Sequence, residues 1–221
     1  MNKAFFITGT DTEIGKTHSA CALLHAWRAT GASAVGYKPL AAGTELIDGV
    51  RANEDALRLQ AASTPGFSLA DINPVCLDEA IAPHIAAMRA GMTFDLRRML
   101  DGYTALRTRA DIVLVEGVGG FRVPLGSGLD TSHLARALGL PVVLVVGMRL
   151  GCLNHALLTA EAIAARGLRL AGWIANTLTP VMPCLDENIA TLKEALSAPC
   201  LGVLPADTAP TQAAAILTLP A

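Results

Sequence analysis

A chain of 221 residues, 52% hydrophobic and 16% charged, carries enough apolar surface to bury one sizeable core, and it is read as a single domain. A formal net charge of -2, with no basic tail or charge block, argues against a protein that coats DNA or RNA. The mean hydropathy of +0.45 is high, but the longest apolar run, about residues 138–148, contains Pro141 and Gly147, stops at Arg149 and is too short to cross a bilayer.

The opening Met1-Asn2-Lys3 leads into a short apolar stretch and then a polar loop, with no cleavage-site pattern, so no signal peptide is expected. That stretch, residues 4–8, is read as the first strand. Gly9-Thr10-Asp11-Thr12-Glu13-Ile14-Gly15-Lys16-Thr17 follows it and runs into an amphipathic helix over about residues 15–29. Strand, glycine loop, Lys-Thr and helix occur in the order of a phosphate-binding loop. In such a loop the backbone N–H groups at the helix start hold phosphate oxygens, Lys16 brings a positive charge and the Thr17 hydroxyl can ligate Mg²⁺. Five residues separate Gly9 from Gly15 where the usual pattern has four, so the loop should be one residue longer than standard. Glu13 inside it is unfavourable beside phosphate unless it points outward or is offset by metal.

The second strand, residues 34–38, ends in Gly36-Tyr37-Lys38-Pro39. Pro39 keeps Lys38 extended. Lys38 is either a solvated strand-end cation or a charge for anions at the phosphate end of a site. A helix over about 53–61 opens with Asn53-Glu54-Asp55, where an acid is already favoured by the helix dipole. Residues 42–53 and 63–83 are the least regular segments. After a helix at 94–108, the strand at 111–116 ends in a carboxylate, Glu116, before Gly117, Gly119 and Gly120. On position alone Glu116 is equally a carboxylate emerging into water and a Mg²⁺ ligand; the upstream phosphate loop favours the ligand.

A helix at 131–137, a strand at 141–146, a helix at 152–166, a strand at 170–175, a helix at 185–196 and a last strand at 201–204 complete the alternation. Near-continuous hydrophobicity in the strands and their alternation with helices indicate an α/β fold: a mostly parallel sheet with helices on both faces. Asn176, just past its strand, offers amide donors and an acceptor that match the edge of adenine, although turn formation alone would also place an asparagine there. Leu204-Pro205-Ala206-Asp207 follows the last strand and can close the other side of a base. His84 and His155 lack metal-ligand spacing and are read as structural or capping residues. The five cysteines, Cys21, Cys76, Cys152, Cys184 and Cys200, form no C-x-x-C pair, which favours reduced thiols and a cytoplasmic location.

Taken together, GTDTEIGKT (9–17), GYKPLAAGTE (36–45), NEDALRLQ (53–60), APHIAA (82–87), VEGVGGFRVPL (115–125), VVGMRLGCLNHALLTAEAI (145–163) and AGWIANTLTP (171–180) resemble the dethiobiotin synthetase family, a branch of the P-loop NTPases. The longer phosphate loop is shared with that family. The resemblance implies an ATP- and Mg²⁺-dependent cyclo-ligase of biotin biosynthesis that converts 7,8-diaminononanoate and CO₂ to a cyclic urea. It implies that Thr17, Asp55 and Glu116 bind Mg²⁺. It also implies that Glu13, Ile14, Gly15, Lys16, Thr17, His18, Asp55, Glu116, Gly117, Val118, Gly119, Asn176, Thr177, Pro205, Ala206 and Asp207 form the ATP site. Lys38 and Lys16 are implied as catalytic, and Thr12, Ala42, Leu150, Gly151, Cys152 and Asn154 as substrate-binding. Leu150 to Asn154 would act across a homodimer interface, where N–H groups opening a helix at Gly151 to Asn154 suit the substrate carboxylate. Two departures are visible: Ala42 stands where the family usually has serine, and Phe121 where tryptophan is usual. A nucleotide-switched, partner-binding ATPase of the same P-loop group is the second reading; such proteins usually carry another lysine early in the loop, where this sequence has Thr10, Asp11 and Thr12.

Overall fold

The computed structural model describes residues 3–47 and 49–221. Met1 and Asn2, on which the expectation about a signal peptide partly rests, lie outside the described residues. In chain order the elements are β1 (Lys3–Gly9), α1 (Lys16–Ala29), β2 (Ala34–Tyr37), β3 (Ala41–Ala42), β4 (Glu45–Ile47), β5 (Val50–Ala52), α2 (Glu54–Ala62), α3 (Leu69–Ile72), β6 (Cys76–Leu77), α4 (Pro83–Arg89) and α5 (Leu96–Arg107). They continue with β7 (Ile112–Glu116), β8 (Pro124–Gly126), β9 (Leu129–Asp130), α6 (Thr131–Leu138), β10 (Val142–Met148), α7 (Cys152–Ala165), β11 (Leu170–Thr177), α8 (Leu185–Ala195), β12 (Cys200–Leu204) and α9 (Pro210–Ala213).

The six longer apolar runs pair in parallel, in the order β12-β11-β10-β1-β7-β2. Parallel neighbours need a crossover, and the helices between them provide it. Alternation along β10 shows how both faces are covered. Val143 and Val145 join a core with Leu23 and Leu24 of α1, whereas Leu144, Val146 and Met148 pack with Cys152 and Ala156 of α7 and Ile189 and Leu192 of α8. All seven residues of β10 are therefore buried. A smaller apolar cluster, including Leu40, Leu77, Met99 and Leu134, fills the space beneath the irregular segments.

Two strand ends differ from expectation in a way that bears on function. Gly147 pairs with Asn176 and Met148 with Thr177, so β10 and β11 run two residues further than their apolar cores. Asn176 thus occupies the last turn of a strand, not the loop after it. Conversely, β2 stops at Tyr37, because the Lys38 N–H is given to the Ile72 carbonyl at 2.8 Å and Pro39 has no donor to continue the ladder. The short helices α3, α4 and α9 and the two-stranded pairs β3/β6, β4/β5 and β8/β9 lie mostly in segments whose sequence shows no clear period. With β1 central and β7 and β10 beside it, the carboxyl ends of these strands meet at the position where open parallel sheets bind ligands.

Candidate active site

The loop between β1 and α1 is held from three sides. The Thr10 N–H donates to the Val145 carbonyl at 3.0 Å, and the Lys16 ammonium donates to the Asp11 carbonyl at 2.7 Å. The third tie is the Asn176 amide, which donates to the Ile14 carbonyl at 3.0 Å. Gly15 adopts φ +84°, and a Cβ there would lie 2.2 Å from Asn176 Nδ2, so both conformation and close approach demand glycine. The extra loop residue is absorbed by Glu13 in a left-handed conformation (φ 57°), with its side chain exposed. Glu13 is thus exposed and lines the cleft beside the loop. Ile14 does the opposite: it is fully buried over Gly9 and Gly147, where added Cβ atoms would sit 2.8 and 2.6 Å from its side chain. Ile14 does not line the cleft.

Lys38 is the centre of a second constellation. Its backbone is clamped by Ile72 and by the Asn73 amide, which donates to the Lys38 carbonyl at 2.6 Å. Its ammonium reaches Glu116 Oε1 at 2.5 Å and Asp55 Oδ2 at 2.9 Å. The Thr17 hydroxyl donates to the same Glu116 oxygen at 2.8 Å. Lys38 is thus a buried, paired cation, not the solvated one that its local sequence also allows. Burial opposes its charge, but Glu116 and Asp55 outweigh that and hold the ammonium above its ordinary pKa. Burial likewise works against ionised Asp55, and Lys38 more than compensates, leaving that carboxyl below its ordinary value. Lys16 lacks such close partners: burial lowers it to about 8.

The donor set fits Mg²⁺, which prefers hard oxygens and usually takes one or two carboxylates beside phosphate oxygens. Glu116 Oε2 is buried with no hydrogen-bond partner among the described residues, while Thr17 and Asp55 meet the same cluster through Glu116 Oε1 and Lys38.

These groups open into a cleft of about 740 Å³ lined by Thr12, Glu13, Gly15, Lys16, Thr17, His18, Lys38, Ala42, Asp55, Val118 and Gly119 among the residues singled out from sequence. Glu116 and Gly117 lie beneath it, with the Gly117 N–H bonded to the Ile7 carbonyl at 3.0 Å. Asn176 and Thr177 are nearly buried on the far side of Gly15, and Asp207, in a left-handed conformation, accepts from the Thr179 hydroxyl at 3.2 Å. Pro205, Ala206 and Asp207 do not line the cleft. Nor do Leu150, Gly151, Cys152 and Asn154, although Arg149, just before them, is ion-paired with Asp11 of the loop. Leu150 is 94% exposed. The Cys152 side chain is buried in the core, and its N–H is given to the Arg149 carbonyl at 2.9 Å. Sequence reasoning missed Asn53, Arg58, Ala80, Ile81, Ala82, Pro83 and Val123 as site residues; they complete the cleft. Arg58 lies three residues after Asp55 on the same helix, but that spacing alone does not mark a cleft residue.

Comparison with known proteins agrees with this geometry. Over 99% of its length the chain is 59% identical to the ATP-dependent dethiobiotin synthetase of Aromatoleum aromaticum, covering 98% of that protein. The chain belongs to the ATP-dependent dethiobiotin synthetase family. The Ralstonia nicotianae member is 58% identical across 90% of this chain and 87% of its own. A family model described as an AAA domain matches residues 3–214. The septum site-determining protein MinD of Pyrococcus horikoshii, solved with Mg-ADP, superposes with a TM-score of 0.55 at 18% identity, covering 93% of this chain and 82% of that one. That likeness establishes the shared P-loop fold, and the sequence relatives favour the ligase over the partner-switched ATPase.

Proposed function

We infer that this chain is an ATP-dependent dethiobiotin-forming ligase, closing 7,8-diaminononanoate and CO₂ into a cyclic urea with release of ADP and phosphate. The observation that carries the reading is the Thr17, Lys38, Asp55 and Glu116 cluster beside a lysine-bearing phosphate loop, in a chain 59% identical to an ATP-dependent dethiobiotin synthetase.

The chemistry needs three steps. An uncharged amine attacks CO₂ and loses a proton, giving a carbamate. A carbamate oxygen then takes the γ-phosphoryl group of ATP, with ADP leaving. The second amine attacks the carbonyl carbon of this mixed anhydride and gives up a proton, phosphate departs with the C–O bond pair, and the ring closes. Throughout, the protein supplies position and charge. Loop amides and Lys16 hold the polyphosphate, while Lys38 neutralises charge that grows as the carbamate oxygen approaches phosphorus. Thr17, Asp55 and Glu116 are the residues that would hold Mg²⁺, which supplies charge neutralisation on the phosphate oxygens when bound. Asn176 and Thr177 flank the base, with Pro205 to Asp207 on its other side. The Ala42 methyl faces the cleft where a serine hydroxyl would add a neutral contact of about 0.5–1.5 kcal/mol.

We place the diamine's carboxylate at the helix opening of Leu150 to Asn154 of a second subunit. The exposed Leu150 at that opening and Leu158 further along α7 support a homodimer of this kind. Among the described residues no helix is long and apolar enough to cross a membrane. A cytoplasmic setting is consistent with the free cysteines. Incubation with ATP, Mg²⁺, diamine and ¹³C-bicarbonate tests the reaction: the product should gain one labelled carbon as a cyclic urea, and an unlabelled or uncyclised product would refute it.

A further inference from the structure

The cleft holds a cation beyond Lys16 and Lys38. Arg58 lies on α2 one helical turn past Asp55 and lines the same cleft as Gly15, Lys16, Thr17 and His18, the residue that follows Thr17. Helices α1 and α2 pack together.

Within the chain, Arg58 pairs with Glu54 at 2.5 Å, four residues back, and both side chains are more than half exposed. An exposed pair of this kind on a helix holds its members only weakly, so the guanidinium is readily released to a stronger partner. A planar fork of donors matches a phosphate better than it matches a solvated carboxylate. In a phosphate loop the lysine serves the outer phosphates and the loop amides serve the inner ones. A cation on the cleft wall beside the helix start therefore stands with the amides that serve the inner phosphates.

We propose that Arg58 is a nucleotide-binding residue, leaving Glu54 to place its guanidinium on the inner phosphates of ATP. This rests on the assignment of Gly9 to Thr17 as the ATP phosphate loop. Because the contact is to phosphates shared by ATP and ADP, both should lose affinity alike when it is removed.

The test is titration calorimetry of ATP and ADP, with Mg²⁺, into the wild-type protein and its Arg58→Ala, Arg58→Lys, Glu54→Gln and Lys16→Ala variants, each checked for folding by circular dichroism. Arg58→Ala should weaken both nucleotides about tenfold, as expected for one charge-assisted contact. Arg58→Lys should recover part of the loss. Glu54→Gln, which removes the competing carboxylate, should tighten both about twofold. Wild-type affinity in Arg58→Ala would overturn the proposal, as would a loss confined to ATP or a weakening in Glu54→Gln. Lys16→Ala separates the two levels: if it too binds normally, the loop assignment itself fails, whereas a weakened Lys16→Ala beside a normal Arg58→Ala sinks only the role of Arg58.

Discussion

Lys38→Met removes the cation from a pair in which the lysine side chain is 3% exposed and Glu116 not exposed at all. Thr17 still donates to Glu116, but the carboxylate is left buried without a counter-charge. Loss of one partner from such a pair costs about 3–5 kcal/mol. For a chain of 221 residues this is a fall of roughly 10 °C in Tm, since each kcal/mol moves a domain of this size by about 2–4 °C. Glu116→Gln should cost less, about 1–3 kcal/mol, because Lys38 keeps Asp55, whose side chain is 41% exposed and can be hydrated. In the double variant neither charge of the buried pair remains. Its loss should be smaller than the sum of the single losses by at least about 2 kcal/mol, within the range found for directly contacting residues. Urea unfolding followed by circular dichroism, without nucleotide or Mg²⁺, measures all three. Additive losses, within about 0.5 kcal/mol, would refute the claim that Lys38 and Glu116 are energetically one unit.

Lys16→Ala should leave the fold intact, by circular dichroism, and lower ATP turnover by an order of 10² or more; near-normal turnover would remove the loop from the chemistry. Because burial holds Lys16 at about 8, the protein without nucleotide sheds that proton as pH rises past this value. ATP affinity measured by calorimetry should therefore fall above pH 8, by at most about tenfold per pH unit, and stay level just below it. The same lowering, from 10.5 to about 8, means that the unfolded chain binds more protons between those values, so this group makes stability rise with pH there. Thiol labelling of the native protein at neutral pH should modify the exposed Cys76 and Cys184 but not Cys21, which burial pushes up to about 12, nor the buried Cys152; fast labelling of Cys21 would contradict the described core.

Much of this was legible in the chain itself, for physical reasons. The sheet strands are covered on both faces, so their apolar runs stand out, and the phosphate loop is a local device whose strand, glycines, lysine and helix are contiguous. Lys38 and Glu116 could be placed at strand ends, but their pairing joins residues far apart in the chain, and local sequence favoured a solvated lysine. Asn176 was expected beyond its strand as a base reader. Partner residues Gly147 and Met148 extend the ladder past the apolar core, and one amide donor of Asn176 is committed to the loop. Asn73, which clamps the Lys38 carbonyl, and Arg58 carry no signal that short-range periodicity detects, because each acts through a neighbour on another element. The buried Cys152 shows the same limit: a helix opening was visible, but not which of its N–H groups the preceding turn had taken.

The most direct measurement is ADP release by the purified protein with ATP and Mg²⁺, with and without 7,8-diaminononanoate and bicarbonate. Turnover should require both additions and match dethiobiotin formed mole for mole. ADP release that ignores the diamine, or that appears only when a protein or DNA partner is supplied, would contradict the ligase and restore the partner-switched ATPase.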